Sequence, residues 1–385
     1  MIDTTELDRV SSPVATAAAI WVAVVGVIAY MFLPLIIGGL VDDLGFSNSE
    51  TGFIGAAEAG GMALANALAA LFLRRVNWRL IIVLAGTIMA IANGISTVVD
   101  TFIAMFFVRL VDGFAGGVLI ALGVACLSDN RNANRVFGYF IASEMIFASI
   151  GFYFLPTIQL SFGVDGIFYA LVLISITGIL VAPFHPDKGL IRPKLSFDVS
   201  GLAMKPVVIF TVALFAALLF FMSQGGLWAF VERLGRASQL EPGDIGLALM
   251  ISSAFGILGA LGADHVARKF GLRNAFIIVL AGEVLCIVML YGTLPIQQYF
   301  VALCLFIMFW SMGLPLMLTQ CNGLDVSGKL VVLLYAVGKL GYTLGPAIMG
   351  MLIIEDNYTY VISLALLLCS MGLIINVRLA HSPRS

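Results

Sequence analysis

Charged residues are scarce in this chain of 385 residues: Asp, Glu, Lys and Arg together make up 11% of it, whereas about a quarter is usual in soluble domains. The three histidines are scattered and the five cysteines lack metal-ligand spacing, so we expect no metal site and no bound cofactor. Basic tracts, nucleotide-binding glycine loops and nucleophile triads are also missing. These absences argue against a nucleic-acid partner, an ATP-driven pump and an enzyme.

Apolar residues are abundant and make up 61% of the chain. A helix crosses the hydrocarbon core of a membrane with about 20 residues, and these apolar runs are too long and too continuous for the alternating strands of a barrel. We predict an all-α integral membrane protein with twelve transmembrane helices. The predicted spans are 16–41, 51–73, 80–98, 101–126, 136–155, 166–184, 206–230, 244–263, 275–293, 298–321, 330–353 and 358–377.

Basic residues fall almost entirely on one side of these spans. Sixteen of the twenty Lys and Arg residues lie on that side, Arg233 and Arg236 lie on the other, and Arg109 and Lys339 lie inside spans. Because basic residues are enriched in cytoplasmic loops, this asymmetry predicts two cytoplasmic termini and an even number of spans. We expect a multi-pass protein of the plasma (inner) membrane.

The longest internal polar stretch divides the predicted spans into two sets of six. It covers 185–205 and holds two prolines and four basic residues. We therefore predict an N-terminal six-helix bundle over 1–184, a cytoplasmic linker over 185–205 and a C-terminal six-helix bundle over 206–385. Equal halves of this kind are common in secondary transporters, and we expect the chain to work in the bilayer as a monomer.

Two short patterns near the cytoplasmic ends of spans carry a family resemblance. Asp264, Arg268 and Lys269 follow the eighth span, and the basic pair Arg74 and Arg75 follows the second span without a matching acid. The first pattern resembles a loop motif of the major facilitator superfamily. That resemblance implies a twelve-helix fold that works by alternating access, in which these residues help to latch one of the conformations.

Two further patterns that resemble motifs of the same family lie inside spans. They are Arg109, Asp112, Gly113 and Gly117 in the fourth span, and Gly341, Gly345, Pro346 and Gly350 in the eleventh. The resemblance implies a part in proton coupling for the arginine of the fourth span. The glycine-proline signature that drug antiporters of the family carry in the fifth span is not matched, which argues against multidrug export.

Ionisable side chains inside the spans are the main candidates for a site. They are Glu58, Arg109, Asp112, Glu144, Glu283 and Lys339. A charge at mid-bilayer costs at least ~2.5 kcal/mol, so each needs a partner or a watery cavity. Arg109 and Asp112 are three residues apart and can pair on one helix face, either as a structural ion pair or as part of a coupling site. Four acids against two bases leave some carboxyl without a cation, which predicts proton binding.

Candidate solute contacts come from the helices that line the cavity if the family arrangement holds. They are Tyr30, Gln224 and Trp310, together with Lys339, whose alternative is a salt bridge to an acid on another helix. Trp228 lies nearer the outer end of its span, where a role in the aromatic belt at the membrane interface is natural.

The leading functional prediction is a proton-coupled secondary transporter of a small organic solute, with Arg109 and Lys339 favouring an organic anion. One alternative is proton-driven efflux of amphipathic, drug-like compounds. An alternative from another class is a membrane assembly factor or sensor that uses a transporter scaffold without carrying a solute.

Overall fold

The structure is a computed structural model that describes residues 4–190, 204–324 and 329–380. The helices in these ranges are α1 (Thr4–Val10), α2 (Pro13–Met31), α3 (Leu33–Asp42), α4 (Asn48–Phe72), α5 (Trp78–Ser96), α6 (Phe102–Ser128), α7 (Ala133–Val181), α8 (Met204–Ala237), α9 (Pro242–Phe270), α10 (Leu272–Met289), α11 (Ile296–Leu324), α12 (Lys329–Gly350) and α13 (Thr359–Leu379). Two 3₁₀ turns, Leu73–Arg75 and Ala182–Phe184, follow α4 and α7.

These helices provide twelve membrane spans. In the described part of the chain, nine helical segments are long and apolar enough to cross a membrane, with α2 and α3 counted together as the first. One of the nine, α7, holds two spans because non-helical backbone interrupts it at Gly163. The 25-residue α4 and the 22-residue α12 supply the remaining two. The prediction of an all-α protein with twelve transmembrane helices is confirmed.

The surface of α5 shows how such a helix meets lipid. Its exposed apolar side chains recur at intervals of three or four residues and so form one face: Leu80, Leu84, Ile88, Ile91 and Ile95. Ile82, Ala85 and Met89 are buried on the opposite face. No other part of the described structure covers this apolar face. It therefore requires the hydrocarbon of a membrane as its solvent.

The boundary between the fifth and sixth spans differs from the prediction, which ended the fifth span at 155. The helix continues past Pro156 and breaks at Gly163, whose φ of 63° lies in the left-handed region that favours glycine. At the break, the backbone N–H of Val164 donates a hydrogen bond of 2.6 Å to the Asp43 carboxylate. This aspartate therefore caps the sixth span from the end of the first.

The first span is also broken rather than continuous over 16–41. Phe32 has non-helical ψ (8°) between α2 and α3. Pro34 follows two residues later, and its missing N–H cannot serve the Tyr30 carbonyl, four residues before it. The N–H of Phe32 donates to the Ile28 and Tyr30 carbonyls instead. The proline thus coincides with a helix break beside Tyr30.

The chain divides into two compact units, Met1–Lys194 and Leu195–Ser385. Residues 191–203 of the predicted linker lie outside the described residues. Its first residues lie against the N-terminal unit: the Trp78 backbone N–H donates to the Asp187 carbonyl at 2.7 Å, and the Leu190 N–H donates to Asp129 at 2.8 Å.

Each unit repeats the same order of helix neighbours. In the N-terminal unit α4 packs on α6, and α5 packs on α6 and α7. In the C-terminal unit α9 packs on α11, and α10 packs on α11 and α13. The second span of each unit thus contacts the fourth, and the third contacts the fourth and sixth.

Glycines set the closest helix contacts in both units. A Cβ atom at Gly113 of α6 would lie 2.0 Å from the Glu58 carbonyl of α4, and one at Gly259 of α9 would lie 2.0 Å from the Met308 carbonyl of α11. Such distances are impossible for a side chain, so the backbones touch directly. Gly341 and Gly345 likewise bring α12 against α8.

Candidate functional site

A buried charge cluster lies inside the N-terminal unit and consists of Glu58, Asn93, Arg109 and Asp112. Arg109 Nη1 lies 3.3 Å from Asp112 Oδ2 and 3.6 Å from Glu58 Oε2. The side chains come from three helices, α4, α5 and α6, and none is more than 3% exposed. The structure therefore brings three of the predicted site residues together.

Two features of the sequence build this cluster. Arg109 and Asp112 are one turn apart on α6, which places them on one helix face. Glu58 joins them because Gly113 and Gly61 let α4 and α6 touch at this level: a Cβ at Gly61 would lie 2.3 Å from the Leu110 carbonyl. The contact fixes the height of Glu58 relative to Arg109.

Asn93 is a member of the cluster that our sequence analysis missed. Its Nδ2 donates to Asp112 Oδ1 at 2.7 Å and to the Met89 carbonyl at 2.9 Å. Its Oδ1 accepts from Arg109 Nη2 at 3.1 Å. The amide thus bridges the cation and the anion. The sequence feature that could have indicated it is a single asparagine within the apolar α5, because a buried amide needs hydrogen-bond partners.

The two carboxylates of the cluster differ in their hydrogen bonds. Asp112 receives the Asn93 amide on one oxygen and Arg109 on the other. Glu58 Oε2 is buried and has no hydrogen-bond partner among the described residues. Asp112 therefore accepts from two donors, whereas Glu58 has its longer contact with Arg109 and a side-chain hydrogen bond with Asp112.

The charges of the cluster do not balance when all three groups are ionised. One guanidinium, which stays protonated in proteins, faces two carboxyl groups in a water-poor interior. A net charge buried in this way is costly, and one proton on the carboxyl pair removes it. The cluster can therefore bind and release a proton.

An aromatic cluster lies inside the C-terminal unit and consists of Phe221, Trp228, Phe306, Trp310 and Tyr342. The Trp310 ring centroid lies 5.8 Å from Trp228, 5.7 Å from Phe306 and 5.9 Å from Tyr342. The Phe221 ring packs against Tyr342 in a tilted arrangement, with the centroids 5.1 Å apart. Trp310 Nε1 donates a hydrogen bond of 2.9 Å to the Tyr342 hydroxyl.

The predicted site residues Trp310 and Lys339 meet at this cluster. Lys339 Nζ lies 5.9 Å from the Tyr342 ring centroid, one helical turn away on α12. Trp228 is 3% exposed and packs on Trp310, so the structure does not place it in an interfacial belt that faces lipid.

Gln224 has other neighbours than the aromatic cluster. It is fully buried on α8, and its Nε2 donates a weak hydrogen bond of 3.7 Å to Cys369 Sγ on α13. Cys286 of α10 donates to the Glu283 carbonyl at 3.2 Å and lies 3.8 Å from its carboxylate. This side of α8 faces the packed interior of the C-terminal unit.

Two further predicted site residues belong to the N-terminal unit. Tyr30 is 8% exposed beside the break of the first span, and Glu144 is half-buried on the first half of α7.

The predicted latch residues lie on helical backbone and not in a loop. Asp264, Arg268 and Lys269 belong to the last turns of α9, which ends at Phe270. Arg268 pairs with Asp264 at 2.7 Å within this helix, and both are well exposed. Arg75 is exposed in the 3₁₀ turn after α4, and the side chain of Arg74 lies outside the described residues.

Within the described residues, no group of three or more His, Cys, Asp and Glu side chains is arranged to hold a metal ion.

Comparison with known proteins identifies a family for this chain and solved structures with a similar fold. The family profile described as Major Facilitator Superfamily matches residues 18–327. A search of curated protein sequences finds no match. Among solved structures, the nucleoside transporter NupG is similar at a TM-score of 0.73 and 15% identity, over 97% of this chain and 100% of that one.

A second similar structure is a bacterial homologue of the human lysosomal transporter Spinster, in an inward-facing and unoccupied conformation. It has a TM-score of 0.64 and 14% identity, over 96% of this chain and 95% of that one. At such identities, both likenesses are evidence about the fold alone.

Proposed function

The chain belongs to the major facilitator superfamily of membrane transporters, and on that basis we propose that it is a secondary carrier of a small organic solute, driven by protons that bind at the buried charge cluster. The single observation that carries the proposal is the surplus carboxyl group in that cluster, where Glu58 and Asp112 share Arg109. The carrier works by alternating access, and Lys339, the cation inside a span of the C-terminal unit, favours an organic anion.

Each residue of the cluster has a distinct role in this proposal. Arg109 is the fixed cation, because a guanidinium does not release its proton. Asp112 is its permanent counterion, since the Asn93 amide and Arg109 both donate to it. Glu58 carries the exchangeable proton, because its buried Oε2 lacks a hydrogen bond.

Proton exchange on Glu58 changes the forces between two helices. An ionised Glu58 is attracted to Arg109, and this attraction holds α4 against α6 in addition to the glycine contact. A protonated Glu58 loses most of this attraction but leaves the Arg109 and Asp112 pair neutral. Differential stabilisation of two states by a bound proton is what coupling requires.

The test is proton flux in proteoliposomes that contain the purified chain and a trapped pH-sensitive dye. Inward gradients of organic acids, sugars and nucleosides are applied one at a time, with and without a protonophore. We expect at least one solute to move protons with it, and Glu58→Gln to abolish the proton movement while solute exchange at equal concentrations persists.

The matched control is Asp100→Asn, which removes one negative charge from an exposed position between α5 and α6. It should leave the proton flux unchanged. Undiminished proton flux in Glu58→Gln would show that the proton binds elsewhere. Solute uptake that is unaffected by the protonophore would contradict proton coupling altogether.

We also propose a monomer of the plasma (inner) membrane with both termini in the cytoplasm. The support for this orientation is the distribution of Lys and Arg along the sequence, of which Arg233 and Arg236 alone fall beyond the predicted span ends on the opposite side. A membrane-impermeant label that reacts with a terminal tag in intact cells would contradict this orientation.

A further inference from the structure

The aromatic cluster lies at the middle of its helices and not near their ends. Trp310 is the central residue of the 29-residue α11, Lys339 is at the middle of the 22-residue α12, and Phe221 is at the middle of the 34-residue α8. Tryptophan in a membrane helix is enriched at the interface, where its N–H meets water. A tryptophan and a lysine at mid-helix therefore need another explanation.

The rings of the cluster form a fixed surface. Phe221, Trp228 and Phe306 are at most 3% exposed, and they support Trp310 and Tyr342, which are only half-buried. The hydrogen bond from Trp310 Nε1 to the Tyr342 hydroxyl fixes the angle between these two rings. Two accessible aromatic rings held in this way can stack on a planar ligand without losing much side-chain entropy on binding.

The backbone beneath the cluster is also fixed. A Cβ at Gly341 would lie 2.8 Å from the Phe221 Cβ, and one at Gly345 would lie 2.3 Å from the Met222 carbonyl. These contacts hold α12 directly against α8, so the positions of Lys339 and Tyr342 relative to Phe221 are set before any ligand binds.

Lys339 places a positive charge beside this surface. Its ammonium group lies over the Tyr342 ring, 5.9 Å from the centroid, so an acidic group on a ligand that packs beside Tyr342 can approach this cation. Such a charge repels a cationic ligand and attracts an anionic one, and the effect is strong in a medium of low dielectric constant.

We propose that the aromatic cluster and Lys339 form the solute-binding site, and that the solute is a planar aromatic carboxylate whose ring stacks on Trp310 and Tyr342 while its carboxylate pairs with Lys339. This inference rests on the proposed carrier function and specifies its substrate class. The site lies within the C-terminal unit and uses no residue of the buried charge cluster.

The test is calorimetric titration of the purified full-length chain with three small probes that separate ring from charge. Benzoate has both features, cyclohexanecarboxylate has the charge without the planar ring, and benzamide has the ring without the charge. We expect benzoate to bind about tenfold more tightly than either of the others, which is the range that one aromatic stack or one close charge supplies.

Variants assign each part of this preference to a residue. Trp310→Leu should remove the preference of benzoate over cyclohexanecarboxylate, and Lys339→Gln should remove the preference over benzamide, while Lys339→Arg should keep it. The control is Phe215→Leu, which alters an aromatic residue of the same α8 that is 48% exposed and lies outside the cluster; its affinities should match the unmodified chain.

Equal binding of the three probes, binding of none of them, or selectivity that survives Trp310→Leu would overturn the inference. Flux measured in proteoliposomes separates this failure from failure of the carrier function. Proton-coupled flux of a non-aromatic solute that is unaffected by Trp310→Leu would refute the aromatic site and leave the carrier in place. Selective benzoate binding without flux of any solute would refute the carrier and leave the site.

Discussion

Two substitutions that each neutralise one carboxylate of the buried charge cluster should have unequal effects on stability. Asp112→Asn and Glu58→Gln both keep the size of the side chain and both leave one anion opposite Arg109. By charge count alone the two variants are equivalent. The hydrogen bonds of the cluster predict that they are not.

The expected difference follows from the bonds that each carboxylate makes. Asp112 accepts from Asn93 at 2.7 Å and from Arg109 at 3.3 Å, and a hydrogen bond to a charged group contributes about 1.5–3 kcal/mol. Glu58 has a longer contact of 3.6 Å with Arg109 and a hydrogen bond with Asp112 that either amide variant can replace, and its Oε2 has no hydrogen bond among the described residues. We therefore expect Asp112→Asn to lower the free energy of unfolding by about 2–3 kcal/mol and Glu58→Gln by about 1 kcal/mol or less.

The upper reference for this series is Arg109→Met. It leaves two acids without the cation, and removal of one partner from a buried ion pair costs about 3–5 kcal/mol. Protonation of both acids would reduce that cost at low pH, so the effect of Arg109→Met should shrink as the pH falls.

The measurement is reversible unfolding in mixed micelles with increasing denaturing detergent, followed by circular dichroism. Asp100→Asn serves as the control, because an exposed substitution usually changes stability by less than about 0.5 kcal/mol. A Glu58→Gln variant that is as unstable as Asp112→Asn would refute the assignment of unequal roles to the two carboxylates.

Two further predictions concern the helix contact beside the cluster and the start of the predicted linker. Gly113→Ala should destabilise the chain by about 1–3 kcal/mol, because its Cβ would lie 2.0 Å from the Glu58 carbonyl. The control is Gly262→Ala on α9, which has open space around the new Cβ and should not destabilise the chain. The unfolding assay described above compares the two variants. Burial lowers the pKa of His185 from 6.5 to about 4, so the unfolded chain binds the proton first and stability should fall as the pH drops from about 6.5 to 4, by up to about 3 kcal/mol. Thermal unfolding across this range should show that this loss is smaller in His185→Leu, and an unchanged pH dependence would refute the role of the histidine.

The number of spans could be predicted because lipid imposes a length and a polarity on every crossing helix. The breaks within spans could not be placed to the residue. Pro34 leaves the Tyr30 carbonyl without its helical donor, and the helix broke between these two residues, at Phe32. The fifth span was predicted to end at 155, just before Pro156, but in lipid a helix tolerates a proline, and the end came at Gly163.

The pairing of Arg109 with Asp112 could be predicted since it depends on one helix alone. The positions of Glu58 and Asn93 beside Arg109 could not be predicted, because they depend on how far α4 and α5 are shifted and rotated against α6. The glycines that set this register were visible in the sequence, but which glycine meets which carbonyl is a property of the packed pair. Gln224 shows the same limit: it lies one turn from Phe221 on α8, yet it contacts α13 whereas Phe221 contacts α12.

The prediction of proton binding came from a count of charges over the whole chain, but the count within one cluster supports it more directly. The buried charge cluster alone has two carboxyl groups for one guanidinium, so its need for a proton does not depend on Glu144 or Glu283. Lys339 belongs to the C-terminal unit and contacts the Tyr342 ring, and the proposal assigns it to the solute and not to the proton. Since proton and solute are assigned to separate sets of residues, Glu58→Gln and Trp310→Leu should fail in different assays, and a variant that fails in both would require one shared site.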